Sequence, residues 1–95
     1  MAFSLPLPRP WRGRGWKVKI YDCERLEPPH VTILFRAKAW RIDLRSGEFL
    51  DREPPGREVQ EEVLEHVRLR WDVLCQQWDE LYPENPVASP EVDDE

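Results

Sequence analysis

Two adjacent prolines, Pro28 and Pro29, lead the chain into His30-Val31-Thr32-Ile33-Leu34-Phe35. Proline locks its own backbone torsion and keeps the residue before it out of the helical region. The β-branched run that follows then favours a pleated strand. A strand starting at His30 assigns every residue a side. Val31, Ile33 and Phe35 point one way, and His30, Thr32 and Leu34 the other. Lys38 to Leu44 alternates again, with Trp40, Ile42 and Leu44 opposed to Ala39, Arg41 and Asp43. A hairpin centred between Arg36 and Ala37 sets Ile33 against Trp40 and Val31 against Ile42, apolar on apolar. The same register places Thr32 opposite Arg41 and His30 opposite Asp43. A slip of one residue would scramble both faces, so the pattern selects this register. Its weak point is the turn, which lacks the Gly or Asn that tight hairpins prefer.

The remaining elements attach to this hairpin. Trp16, Val18 and Ile20 alternate with Lys17, Lys19 and Tyr21, the pattern of a half-buried strand. Ser46-Gly47 reads as a two-residue loop that pairs Leu44 with Phe49 and Arg45 with Glu48. Pro54-Pro55-Gly56 ends that strand. From Val59 to Leu81 apolar residues recur at spacings of three and four, which predicts a single helix. Glu58, Glu61 and Glu62 suit its positive N-terminal end, and Pro83 and Pro86 stop it. The fold class that follows is α+β: an antiparallel meander of three to four strands, with one long C-terminal helix packed on one face. Residues 1–14 read as an extended Pro/Arg-rich arm, 15–82 as a single α+β domain, and 83–95 as an acidic, proline-containing disordered tail.

A core drawn from about 68 residues is near the lower limit of independent stability, so a partner protein or a homodimer is expected. Phe3 to Leu7 is too short and too interrupted by proline for a secretory or membrane segment. Cys23 and Cys75 are too few for a disulfide framework. The expectation is therefore a reduced, cytoplasmic protein with no membrane association. The net charge of −5 conceals a division. Residues 1–45 carry ten Lys/Arg against four Asp/Glu, while residues 46–95 carry four against fifteen. Such a split implies internal complementarity or a basic surface on an acidic protein.

If the helix covers one face of the sheet, the other stays open. That face presents Lys17, Lys19, Tyr21, His30, Thr32, Leu34, Arg41, Asp43, Arg45 and Glu48. The binding candidates are Lys17, Lys19, Tyr21, Thr32, Arg41 and Arg45, for an acidic protein segment or for RNA. The catalytic candidates are His30 and Asp43. A carboxylate-held imidazole beside cations is the chemistry of phosphodiester cleavage with His30 as general base. The plainer reading gives His30 a structural hydrogen bond at the start of its strand. In the N-terminal segment, Trp11 and its neighbouring arginines read either as a nucleic-acid arm or as a lead-in whose Trp11 caps the core edge. No metal site is expected, because Cys23, His30, His66 and Cys75 match no ligand spacing, and no cofactor motif is present.

Pro28-Pro29-His30-Val31-Thr32-Ile33, the strand Ala39-Trp40-Arg41-Ile42 and a helix reaching Trp78-Asp79-Glu80 resemble a family of small bacterial proteins. It is a domain-of-unknown-function family with a Pro-Pro-His-Val-His-Val signature, and the similarity covers roughly residues 16 to 82. The resemblance implies a compact α+β interaction module, one half of a toxin–antitoxin-like protein pair, with no established activity. The first signature histidine corresponds to His30, whereas Thr32 stands at the second. That departure removes one imidazole from any chemistry needing two. Such an interaction module is the first expectation for function. An RNA-binding or ribonuclease-like protein is the second.

Overall fold

The structure, a computed structural model, describes residues 2–21 and 28–88. Four antiparallel strands form one sheet in the spatial order β1-β2-β3-β4. They are β1 (Phe3–Ser4), β2 (Lys17–Ile20), β3 (His30–Phe35) and β4 (Lys38–Asp43). A short helix α1 (Arg9–Gly13) lies between β1 and β2, and α2 (Glu61–Leu69) and α3 (Trp71–Leu81) follow the sheet. The architecture is α+β, as the alternating and then helical periodicities imply.

The central hairpin has the expected register throughout. His30 pairs with Asp43, Val31 with Ile42, Thr32 with Arg41 and Ile33 with Trp40. The turn resolves its missing glycine by placing Arg36 in the left-handed region, with φ of 57°. The guanidinium of Arg36 lies 5.0 Å from the ring centre of Phe35, a contact that helps hold this backbone. β2 joins the other edge of β3, pairing Val18 with Ile33 and Lys19 with Thr32.

The fourth strand is not the one expected after Ser46-Gly47. Only an isolated bridge between Ile42 and Phe49 forms there, two residues away from the Leu44–Phe49 pairing. The cause is Asp43, whose carboxylate accepts from the backbone N–H groups of Arg45 at 2.6 Å and Ser46 at 3.1 Å. Its carbonyl accepts from Gly47 at 2.8 Å, and Gly47 takes a φ of 81°. This wider turn leaves the Leu44 N–H to bond the Pro29 carbonyl at 2.8 Å. A shift by two keeps every residue on its side, so Phe49 still faces the core. Further on, Gly56 lies against Phe49: a Cβ there would come within 2.5 Å of the ring.

The fourth strand of the sheet comes instead from the N-terminus. The segment expected as an extended arm is extended through its first residues but is laid along β2, pairing Phe3 with Ile20 and Ser4 with Lys19. Leu5 donates to the Val18 carbonyl at 2.9 Å, and Leu5 and Leu7 are buried. Proline is compatible with such an outer strand, because its missing N–H is not needed there. Trp11 is partly buried against the core, which it caps as the lead-in reading expects.

The expected single helix from Val59 is two helices. Val59 is extended and buried, and α2 starts only at Glu61. Arg70 separates α2 from α3 with φ −109° and ψ 23°. Its N–H is shared between the carbonyls of His66 and Val67, both at 3.2 Å, as occurs at helix ends. A straight helix over the whole stretch would span about 35 Å, against about 20 Å for a six-residue strand. Breaking it lets Val63 and Val67 on α2 and Leu74 and Trp78 on α3 all bury on one small core. Val18, Val31 and Ile33 fill the sheet side of that core. Trp16 stacks on Phe35 at 4.2 Å and 8° and extends the layer toward Trp40.

Candidate functional site

The face read as open is divided along its length. Its catalytic candidate is enclosed: His30 has no solvent exposure, and Thr32 has 5 %. The ring centre of His30 lies 5.6 Å from that of Trp78. Nδ1 is 2.8 Å from the Pro28 carbonyl, which can only accept, so Nδ1 carries the proton of that bond. Trp78 is itself fastened by donation from its indole N–H to the Asn85 carbonyl at 2.7 Å, and its ring packs 4.0 Å from that of Tyr82. Strand alternation carried no information about what would pack against His30. Asp43 stands opposite in the ladder, yet its carboxylate is occupied by the turn described above. A general base must touch its substrate. At zero exposure the imidazole meets nothing arriving from solvent.

Two of the arginine candidates are also engaged within the chain. Arg41 forms a two-pronged ion pair with Asp51, Nε to Oδ2 at 2.9 Å and Nη2 to Oδ1 at 2.8 Å. That hydrogen bond is the main reason the Asp51 carboxyl is held below the usual carboxylate range; partial burial opposes it, and the charges of Arg41 and His30 add to it. Arg45 donates to the carbonyls of Val87 and Pro86, both at 2.7 Å, and so clamps the start of the C-terminal segment. Val87 in turn donates to Asp79 at 2.8 Å. Residues 83–88, expected as part of a loose tail, are therefore tied to α3 and to the turn after β4. Residues 89–95 lie outside the described residues. Tyr21 is half-buried, and its carbonyl accepts from the Tyr82 hydroxyl.

Lys17 is exposed and Lys19 partly so. They are joined by two cations that the open-face reading left out. Arg12, Lys17 and Lys19 edge a shallow hollow of about 450 Å³ floored by Leu5, Trp16 and Val18. Lys17 and Arg36 edge a second of about 400 Å³, beside Gly15 and Leu34. Lys17 thus stands between the two. Arg14 adds charge nearby with its guanidinium 4.9 Å from the ring centre of Trp11. None of these cations forms an ion pair among the described residues. Arg12 was visible in the sequence only as part of the arm, and it reaches this surface because β1 folds back along β2.

The other nucleophile and ligand types are dispersed. Cys75 is half-buried, and burial, with Asp79 and Asp72 nearby, pushes its thiol up from the ordinary value. His66 sits 2.8 Å from the Pro6 carbonyl and fastens the N-terminal segment to α2. Among the described residues no three His, Cys, Asp or Glu side chains gather as metal ligands, and no helix is long and apolar enough to cross a membrane. Comparison of the chain with protein-family models, with curated proteins and with solved structures finds no match in any of the three.

Proposed function

We propose that this chain is a non-enzymatic, cytoplasmic protein-interaction module, one half of a small two-protein, toxin–antitoxin-like pair, whose partner presents an acidic segment. The observation that carries this reading is the basic side formed by Arg12, Lys17, Lys19 and Arg36 around two shallow hollows, without ion pairs among the described residues. Their apolar floors would take side chains of a peptide while the cations take its carboxylates. The ribonuclease alternative loses its general base, because His30 is enclosed. Binding of RNA without cleavage draws on the same cations. It is disfavoured by the fifteen acidic residues of the second half, which repel a polyanion, and by the few aromatics there for base stacking.

The test is fluorescence anisotropy with two labelled probes of matched length, an oligoglutamate peptide and a single-stranded RNA. The peptide is expected to bind at low salt and to weaken as salt rises. A Lys17→Glu/Lys19→Glu variant should lose at least ten-fold. RNA binding tighter than peptide binding, with the same sensitivity to Lys17 and Lys19, would overturn the reading in favour of the nucleic-acid alternative. Co-purification with the product of the adjacent reading frame, abolished in the same variant, would identify the partner.

A further inference from the structure

The basic side has a complement within its own chain. Residues 89–95 carry Glu91, Asp93, Asp94 and Glu95 and no cation. No other stretch of five residues in the sequence holds four acids. Arg12, Lys17, Lys19 and Arg36 form no ion pair among the described residues, so a carboxylate arriving at their hollows displaces none of these.

The described chain releases this acidic stretch within reach of the lysines. Arg45, just past β4, donates to the Pro86 and Val87 carbonyls at 2.7 Å, and Val87 donates to Asp79 at 2.8 Å. Ala88 comes next and is exposed. Arg41, Thr32 and Lys19 stand opposite one another across β4, β3 and β2. Two strand spacings therefore separate Arg41 from Lys19, and four residues along the chain separate Arg41 from Arg45. Lys19 lies about 16 Å from Arg45 in the plane of the sheet, and Lys17 about 22 Å. Seven extended residues span up to about 25 Å, and the lysine side chains narrow the gap further. Asp93, Asp94 and Glu95 can all reach Lys19, and Glu95 can reach Lys17.

We propose that residues 91–95 act as an internal competitor for the basic side, their carboxylates on Lys17 and Lys19 of the same chain. The proposal rests on the reading that this side takes an acidic segment, and it adds how access to that side is regulated. A segment tethered this closely has an effective concentration on the order of millimolar, so it need not bind tightly to compete. Its contacts are exposed ion pairs, individually weak and screened by salt. The basic side is thereby shielded against short or weakly acidic segments and yields to a partner that adds apolar contacts to its charges. Such a filter gains specificity by setting a cost on every wrong ligand.

The experiment uses the full chain in two measurements. In the first, labelled oligoglutamate is titrated with the chain and with a Glu91→Gln/Asp93→Asn/Asp94→Asn/Glu95→Gln variant. The variant should bind at least three-fold tighter at low salt, with the gap closing as salt rises. Adding Lys17→Glu/Lys19→Glu should abolish the gain. A control neutralising four exposed acids of the helices, Glu61, Glu62, Glu65 and Glu80, should leave the affinity within two-fold. In the second, zero-length carbodiimide cross-linking of mixed unlabelled and ¹⁵N-labelled chains should join Lys17 or Lys19 to residues 91–95 within a single chain. Equal peptide affinity for chain and variant, without that cross-link, would overturn the proposal and leave the interaction reading standing. A gain matched by the helix control, or cross-links formed only between chains, would overturn it too. Absence of peptide binding in every form, with the internal cross-link present, would support the contact and overturn the interaction reading instead.

Discussion

Lys17 and His30 share a face of the sheet by alternation and register, and they have opposite fates. At one end, Lys17 pairs with Leu34 and stands in solvent between two hollows. At the other, His30 pairs with Asp43 and is wholly enclosed. Nothing in the strands distinguishes the two ends. One difference is Trp78, whose ring packs beside His30 and whose indole is fastened to the Asn85 carbonyl. Strand periodicity therefore reports the side of a residue, while depth is set by segments remote in sequence. Histidine and lysine on the same face thus end in different surroundings, one enclosed by the chain and one exposed to solvent.

The largest expected effect breaks the enclosed end. Trp78→Ala removes a buried indole and its bond to Asn85, and should lower the unfolding free energy by about 3–5 kcal/mol in urea titrations. It should also open His30 to solvent, read as faster modification by an imidazole reagent. Unchanged stability with His30 still protected would show that other groups enclose it.

An intermediate effect concerns Asp51, paired with Arg41 near the middle of the same face. Its folded pKa is depressed below the unfolded value of about 3.9. The stabilisation is thus fully present above that value and is lost as pH falls through the folded pKa. Asp51→Asn should flatten the loss of stability as pH falls below about 4, measured by thermal melts. A variant that keeps the full acid dependence would remove Asp51 from the account.

The smallest effect sharpens the contrast at the bare end. Lys17→Ser should change stability by less than about 0.5 kcal/mol, as exposed sites without partners do. A larger loss would mean that Lys17 supports the fold rather than offering itself to a partner.

Several features were legible before the structure because they depend on near neighbours. Pro28-Pro29 and the apolar pairs Ile33–Trp40 and Val31–Ile42 specify the hairpin register through steric restriction and side-chain parity. The turn after β4 was misread by two residues because the competing bond comes from a side chain, Asp43, rather than from the turn residues. The β1 strand left a trace in the alternation of Phe3, Leu5 and Leu7, but the interleaved prolines read as an arm until an edge was available to receive them. The break at Arg70 has no Pro or Gly to announce it and answers to the length of the sheet.

By itself the sequence determined the α+β class, the hairpin at the centre and the side each strand residue takes, since backbone sterics and alternation act over a few residues. Only the tertiary structure decided which of those residues are reachable. It packed Trp78 beside His30, bound Arg41 and Arg45 within the chain, and brought Arg12 to Lys17 and Lys19. Exposure depends on groups as far as 61 residues away packing on one small core, and no local pattern encodes their arrival.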